Sequence, residues 1–143
     1  MSDQENIKAA QAWVDAWNQG DLTKYAPYED DNFLGEGTGT SGPLNGIQNR
    51  AYLQNFLTAF PGSKVEVQRT IVQGDYVVTN WKVSGTNAGP LQTPSGRSIP
   101  PTGKMITIVG STTDQLKDGK VVHNWNYFDM ASLLSQMGLL PPM

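Results

Sequence analysis

The stretch KVVHNWNYFDM, residues 120–130, holds the chain's only histidine, two asparagines, three aromatic residues and an aspartate. Its first nine residues are mostly β-branched, aromatic or polar and contain no proline or glycine, which predicts a strand from Lys120 to Phe128. Because side chains alternate along a strand, its two faces hold Val122, Asn124, Asn126 and Phe128, and Val121, His123, Trp125 and Tyr127. Two asparagines on one face indicate the polar floor of a cavity, with solvent exposure as the alternative.

Elements on either side of this strand predict an antiparallel sheet. Residues 64–71 and 76–86 alternate as a hairpin, and Lys104 to Leu116 forms the next strand. The turn at residues 117–119 ends in glycine, which suits a three-residue loop with a G1 bulge and sets Leu116 opposite Lys120. That register places Thr112 opposite Asn124 and Gly110 opposite Asn126, on the cavity face.

Helices are predicted at both ends of the chain and before the first hairpin. Ser2 and Glu5 form a capping-box pattern for a helix that reaches Gly20, and a short helical piece follows at residues 22–25. Asn45 caps a helix over residues 46–60 whose apolar face includes Ile47, and Asp129 caps the last helix, which ends at Gly138.

Three other segments are predicted to be irregular. Pro27 and the acidic residues 29–31 indicate a solvated turn, and GEGTGTSGPLNG, residues 35–46, is too rich in glycine for regular structure. The segment from Asn87 to Gly103 is dense in proline and glycine. It is interpreted as a lid or pocket rim, with an ordinary long hairpin loop as the alternative.

Composition limits the possible partners. A chain of 143 residues suits one domain, and a net charge of -3 provides no basic field for nucleic acid. With no cysteine and one histidine, neither a thiolate site nor a multi-histidine metal site can form. The polar N-terminus and the lack of a long apolar run predict a soluble, cytoplasmic protein that does not enter a membrane.

Several motifs together resemble a known family. They are WNQGDL at residues 17–22, AFPG at 59–62, IPPTGK at 99–104, DGKVVHNW at 118–125, and a D-x-x-x-L-L-x-Q-x-G pattern from Asp129 to Gly138. In this order they are similar to the SnoaL-like polyketide cyclases of the nuclear-transport-factor-2-like superfamily, which also contains ketosteroid isomerase. The resemblance implies an α+β fold in which a curved antiparallel sheet wraps over three to four helices, often dimeric through the outer sheet face.

The resemblance also implies a site, but this chain departs from the family pattern there. Members commonly end the last strand with His-Trp-Asp, where the aspartate is the general acid/base of an intramolecular aldol closure. Here the run is Asn124, Trp125 and Asn126, and an amide takes up no proton at neutral pH. The partner position on the preceding strand, often His or Asp, corresponds to Thr112, which does not titrate either.

One carboxylate remains as a candidate base. Aligning residues 30–37 with ketosteroid isomerase places Glu36 at its catalytic base and Trp13 at the tyrosine of its oxyanion hole. Such an enzyme needs a base beside donors that stabilise an enolate. Glu36 and Asn126 are therefore the predicted catalytic residues, with Trp13, Trp17, Thr112, Asn124 and Phe128 binding the substrate.

Other prominent residues receive structural interpretations. His123 is expected on the outer face of the sheet. Trp81 and Trp125 are expected to pack against neighbouring side chains or to lie in an interface. Limonene epoxide hydrolase, another relative, needs an Asp, Arg, Asp constellation, but Arg50, Arg69 and Arg97 occur in a predicted helix, strand and loop without paired carboxylates.

Three functions stay open from the sequence. The first is a cofactor-free cyclase or isomerase that transfers a proton beside the carbonyl of a small, largely apolar compound, with Glu36 as base. The second is a non-catalytic module that binds such a ligand against Asn124 and Asn126. The third is a homodimeric interaction domain with a vestigial pocket. A raised pKa at a buried Glu36 would favour the first.

Overall fold

The computed structural model describes residues 2–93 and 95–140. Its helices are α1 (Asp3–Ala10), α2 (Ala12–Asn18), a 3-10 helix (Leu22–Tyr28), α3 (Gly46–Ala59) and α4 (Met130–Gln136). Its strands are β1 (Glu29–Gly37), β2 (Lys64–Gln73), β3 (Tyr76–Thr86), β4 (Leu91–Gln92), β5 (Ser98–Ile99), β6 (Met105–Lys117) and β7 (Lys120–Phe128). This arrangement confirms the α+β fold with a curved sheet. No helix in these ranges is long and apolar enough to span a membrane.

The large sheet has the strand order β1-β7-β6-β3-β2, so β7 lies between β6 and β1. β1 is parallel to β7, and the other neighbours are antiparallel. β4 and β5 form a separate two-stranded ribbon. Because β1 covers the far edge of β7, the residues of the KVVHNWNYFDM stretch have strand neighbours on both sides.

Side-chain caps begin the helices where the sequence predicts. Ser2 Oγ accepts from the Glu5 amide at 3.1 Å, and Asp129 Oδ1 accepts from the Ser132 amide at 2.9 Å. Asn45 and Gln48 form a reciprocal capping box at the start of α3. Two details of the prediction are wrong: the first helix is interrupted at Gln11, and Ile47 is 75% exposed instead of joining the apolar face.

The acidic residues 29–31 begin strand β1 instead of forming a solvated turn. Glu29 is only 8% exposed and pairs with Arg50 of α3, which compensates its buried charge. The strand continues into the glycine-rich segment as far as Gly37, where the backbone lies against Asn126 and a Cβ atom would collide with the Asn126 carbonyl. Glycine there permits close strand approach, which the prediction of irregular structure missed.

Over most of the pair, the observed register between β6 and β7 differs from the predicted one by two residues. The turn contains only Asp118 and Gly119, both with positive φ, so Lys117 pairs with Lys120. A bulge between Gln115 and Leu116 adds the second residue of shift.

As a result of this shift, Thr112 pairs with Asn126, while Asp114 takes the place opposite Asn124. Gly110 faces Phe128, and the ring of Trp81 fills the space beside its Cα. The bulge also moves Val121 to the inner face, where it is fully buried, while Val122 is half-buried.

The segment from Asn87 to Gly103 packs against α3. Asn87 is fully buried, and its side chain donates to the Ala59 carbonyl at 3.1 Å and accepts from the Thr102 amide at 2.8 Å. Gln92 and Asn55 exchange two hydrogen bonds across β4 and α3. These contacts attach the segment to the helix layer at several points.

Candidate functional site

An apolar chamber lies between the helices and the inner face of the sheet, with about 560 Å³ of empty space including its mouth. Among the described residues it is lined by Trp13, Trp17, Tyr52, Leu53, Phe56, Phe60, Ser63, Val65, Trp81, Val83, Ile106, Ile108, Asn126, Phe128 and Leu133. Four of the predicted site residues, Trp13, Trp17, Asn126 and Phe128, are therefore on its wall. No described residue of the segment 87–103 lines it.

The aromatic wall is held by edge-to-face contacts. Trp13 and Trp81 meet with ring centroids 5.9 Å apart, and Phe56 and Phe128 meet at 5.8 Å. Such edge-to-face pairs stabilise particular ring orientations, and they do so in addition to the free energy gained by burying the rings. The interpretation of Trp81 as packing missed its place in the chamber, because its odd-numbered strand position does not show which face of β3 is inward.

A smaller polar compartment adjoins the chamber, with about 310 Å³ of empty space that includes its opening to solvent. Its walls are Trp13, Tyr25, Asn49, Leu53, Thr112, Asn124 and Asn126, so the two spaces share Trp13, Leu53 and Asn126. Thr112 and Asn124, both predicted to bind substrate, lie here and not in the apolar chamber. A ligand that fills the chamber with its apolar part would present its other end to Asn126.

A chain of hydrogen bonds sets the orientation of Asn126. Trp81 Nε1 donates to Thr112 Oγ1 at 2.9 Å, and Thr112 donates to Asn126 Oδ1 at 3.0 Å. An indole nitrogen can only donate, so the threonine hydroxyl accepts from it and has its own proton for the asparagine oxygen. The Nδ2 group of Asn126 is then the part left for a ligand.

Asp114 is a site residue that the sequence reasoning did not identify. It is fully buried on β6, and Asn124 Nδ2 donates to its Oδ1 at 2.6 Å. Burial raises the pKa of its carboxyl group to about 7, although the hydrogen bond from Asn124 acts in the opposite direction. An aspartate in the interior of a strand, after Thr112 and Thr113, was the available signal, since aspartate is depleted in strands like asparagine.

Three buried polar atoms around the compartment have no hydrogen-bond partner among the described residues: Trp13 Nε1, Tyr25 OH and Asp114 Oδ2. Burial raises the pKa of Tyr25 well above its ordinary value, and the nearby Asp114 adds to the effect. Buried polar groups are normally paired, so a cluster of unpaired ones beside a cavity marks a place for a polar ligand group or water.

The expectation that Glu36 faces the cavity is wrong. Glu36 pairs with Trp125 in the sheet. Its Oε2 atom forms a hydrogen bond of 2.7 Å with Nε2 of His123 on the outer face. The His123 ring stacks on Trp125 with centroids 4.0 Å apart and planes 9° from parallel. His123 is thus on the outer face as expected, and Glu36 is not among the described residues that line either cavity.

No group of three or more His, Asp or Glu side chains in the described ranges is arranged to hold a metal ion. Arg50 and Glu29 form an ion pair, and neither residue lines either cavity. The chemistry on the pocket walls is therefore that of neutral donors and acceptors, with the buried carboxyl of Asp114 directly behind Asn124.

Comparison with known families identifies the class of protein. The model of the SnoaL-like polyketide cyclase family matches residues 7–137, and the chain belongs to this family. No curated protein sequence is a significant match.

Solved structures share the fold. AclR, a proposed hydroxylase from Streptomyces galilaeus, is 24% identical with a TM-score of 0.85, over 99% of this chain and 86% of its own. A proposed SnoaL-like polyketide cyclase from Jannaschia sp. CCS1 is 22% identical with a TM-score of 0.83, covering 99% and 98%. An epoxide hydrolase from M. tuberculosis, similar to limonene epoxide hydrolase, is 19% identical with a TM-score of 0.66, covering 94% and 90%.

Proposed function

We propose that this chain binds a small, largely apolar carbonyl compound and promotes proton transfer beside the carbonyl, without a cofactor, in a cyclase or isomerase reaction. The observation that carries the proposal is the meeting of an aromatic chamber with a polar compartment at Asn126. The apolar body would be held by the chamber, and its carbonyl would accept from Asn126 Nδ2.

Polarisation of the carbonyl is the step that these residues support best. The proton that leaves the carbon beside the carbonyl would pass to a water molecule or hydroxide ion from solvent, since no carboxylate or histidine is among the described residues that line the chamber. The negative charge that develops on the oxygen would be stabilised by Asn126 Nδ2 and by Trp13 Nε1, a buried donor that has no partner among the described residues. Donors arranged before the reaction and screened from water are worth more than the same donors in solution. The identity of this chain as a SnoaL-like protein supports the reaction class.

Non-catalytic binding is the second candidate, and a specific observation favours it. No carboxylate or histidine is among the described residues that line the chamber. Asp114 titrates near neutral pH, but it lies behind Asn124 instead of on the wall. A general base must reach the proton that it removes, directly or through one water.

Hydrogen exchange of an enolisable ketone distinguishes the two candidates. With 2-tetralone in D2O, the protein should accelerate α-hydrogen exchange above the buffer rate, as followed by proton NMR. Asn126→Ala should reduce this acceleration by at least about tenfold, since one oxyanion donor is lost. Asn32→Ala, which changes an exposed asparagine of β1, is the matched control.

Two other results would change the conclusion. Binding of 2-tetralone, seen as shifts of the Trp13 and Trp81 indole N–H signals, without accelerated exchange would leave a binding module. Absence of those shifts for 2-tetralone would contradict the proposed ligand class.

We also propose that two copies associate through the outer sheet face. Large apolar side chains are exposed there, namely Leu34, Ile71, Tyr76, Val109 and Tyr127. Exposed apolar surface on one side of a sheet is typical of an interface. Sedimentation velocity should give twice the mass of 15.6 kDa, and Ile71→Lys should shift the equilibrium toward the monomer. A wild-type monomer at every concentration would contradict the proposal.

A further inference from the structure

The orientation of the Asn124 amide determines what the polar compartment offers to a ligand. Its Nδ2 group donates to Asp114, so its carbonyl oxygen is left to face the compartment that Asn124 lines. Asn126, by contrast, has its oxygen engaged by Thr112 and presents Nδ2. One acceptor and one donor therefore lie side by side on the same strand face.

The two amides differ in what holds them. The orientation of Asn126 rests on Trp81, whose indole N–H is a donor at every pH. The orientation of Asn124 rests on a carboxyl group. An ionised carboxylate only accepts, so Nδ2 must face it, whereas a protonated carboxyl can also donate to the amide oxygen and permits the amide to turn over.

We infer that Asp114 is a positioning residue that, when ionised, locks Asn124 with its carbonyl oxygen toward the polar compartment and so selects ligands with a hydroxyl or enol donor at their polar end. This inference rests on the proposed function for the presence of a ligand. It goes beyond that function by assigning the donor requirement and the residue that imposes it.

The surroundings of Asp114 leave it without a compensating ion pair. From the 3-10 helix, Tyr25 is the titratable group nearby, and Arg50 of α3 is paired with Glu29 of β1. The charged residues of α1, which are Asp3, Glu5 and Lys8, are exposed. Burial raises the pKa of Asp114 to about 7, so both protonation states occur near neutral pH.

A pair of fluorescent probes tests the donor requirement. 2-Naphthol and 2-methoxynaphthalene have the same apolar body, but only the first can donate a hydrogen bond. Above the pKa of Asp114, the wild-type protein should prefer 2-naphthol by roughly three- to tenfold, the worth of one hydrogen bond. Below it, the preference should disappear because the amide can then present either group.

Asp114→Asn is the variant that removes the titration but keeps the size and a hydrogen bond. It should show a weak preference that is the same at pH values on both sides of the wild-type pKa. Asp118→Asn makes the same chemical change at an exposed turn position and should behave as wild type. A preference that stays pH-dependent in Asp114→Asn, or is flat in wild type, would overturn the inference.

A second measurement separates the inference from the proposed function. If neither probe binds, the proposed ligand class is judged on 2-tetralone, and the lock is measured without ligand. The side-chain amide signals of Asn124 in a nitrogen-15 NMR spectrum should titrate in the wild-type protein and not in Asp114→Asn. Amide signals that are unchanged with pH in the wild type would show that Asp114 does not control Asn124.

Discussion

On each face of β7, a side chain forms a hydrogen bond with a carboxyl group of a neighbouring strand, yet the surroundings of the two carboxyl groups differ. On the inner face, Asp114 bonds to Asn124 and is fully buried. On the outer face, Glu36 bonds to His123, and their side chains are 34% and 24% exposed. Exposure, more than the type of hydrogen bond, therefore decides how much a carboxyl group contributes to stability.

The largest difference between the faces is expected from their tryptophans. Trp81→Ala on the inner face should lower the free energy of unfolding by about 3–5 kcal/mol, because it removes a large buried ring. Trp125→Ala on the outer face should cost about 1 kcal/mol, since mainly its contacts with His123 and Tyr76 are lost.

Urea denaturation of both variants measures this difference. Repeating it at two protein concentrations separates any contribution from association of two copies. Equal losses for the two variants would mean that the faces are not energetically distinct.

The next effect concerns the pH dependence of stability. The pKa of Asp114 is raised in the folded protein from 3.8 to about 7, so the folded state binds more protons between these values. The contribution of Asp114 to stability is therefore greatest below the lower value and is lost as pH rises to about 7, by up to about 4 kcal/mol.

Asp114→Asn should abolish this loss and be more stable than wild type by roughly 2–4 kcal/mol at about pH 8. Thermal and urea unfolding across pH measure it, with Asp118→Asn as the exposed control. Destabilisation of Asp114→Asn at that pH would show that the ionised carboxylate is well compensated in the folded state.

The smallest effect is expected at the outer carboxylate. Glu36→Gln keeps a hydrogen-bonding group beside His123, and a pair this exposed contributes at most about 1 kcal/mol. Stability should change little, and α-hydrogen exchange of 2-tetralone should be unchanged because Glu36 is not on the pocket wall. Loss of exchange in Glu36→Gln would reverse the assignment of the two faces and restore Glu36 as the candidate base.

Much of the site was predictable because local spacing carries it. Alternation along residues 120–128 separates Asn124, Asn126 and Phe128 from His123, Trp125 and Tyr127, and the structure has them on those faces. The pattern misassigned Val121, since the bulge near Leu116 changes the alternation there. A bulge depends on pairing with another strand, which spacing within one strand does not reveal.

The placement of the carboxyl groups was not predictable in the same way. An eight-residue alignment placed Glu36 in the cavity, but parallel pairing of β1 with β7 turns it outward. Asp114 was overlooked because the expected turn length and the missed bulge together set the register two residues away, and Thr112 then stood opposite Asn124. Shifts of register change which side chains meet, although each strand keeps its sequence pattern.

Local sequence was sufficient to predict most of the helices and strands, the helix caps and the family, because propensity, capping and motif order act over short stretches of chain. It was not sufficient for strand β1. The tertiary fold sets which carboxyl group is buried, which side chain each carboxyl group contacts and which tryptophans line the chamber. Those outcomes depend on strand register and on burial between segments far apart in the chain, and burial is what moves the pKa of Asp114 toward neutrality.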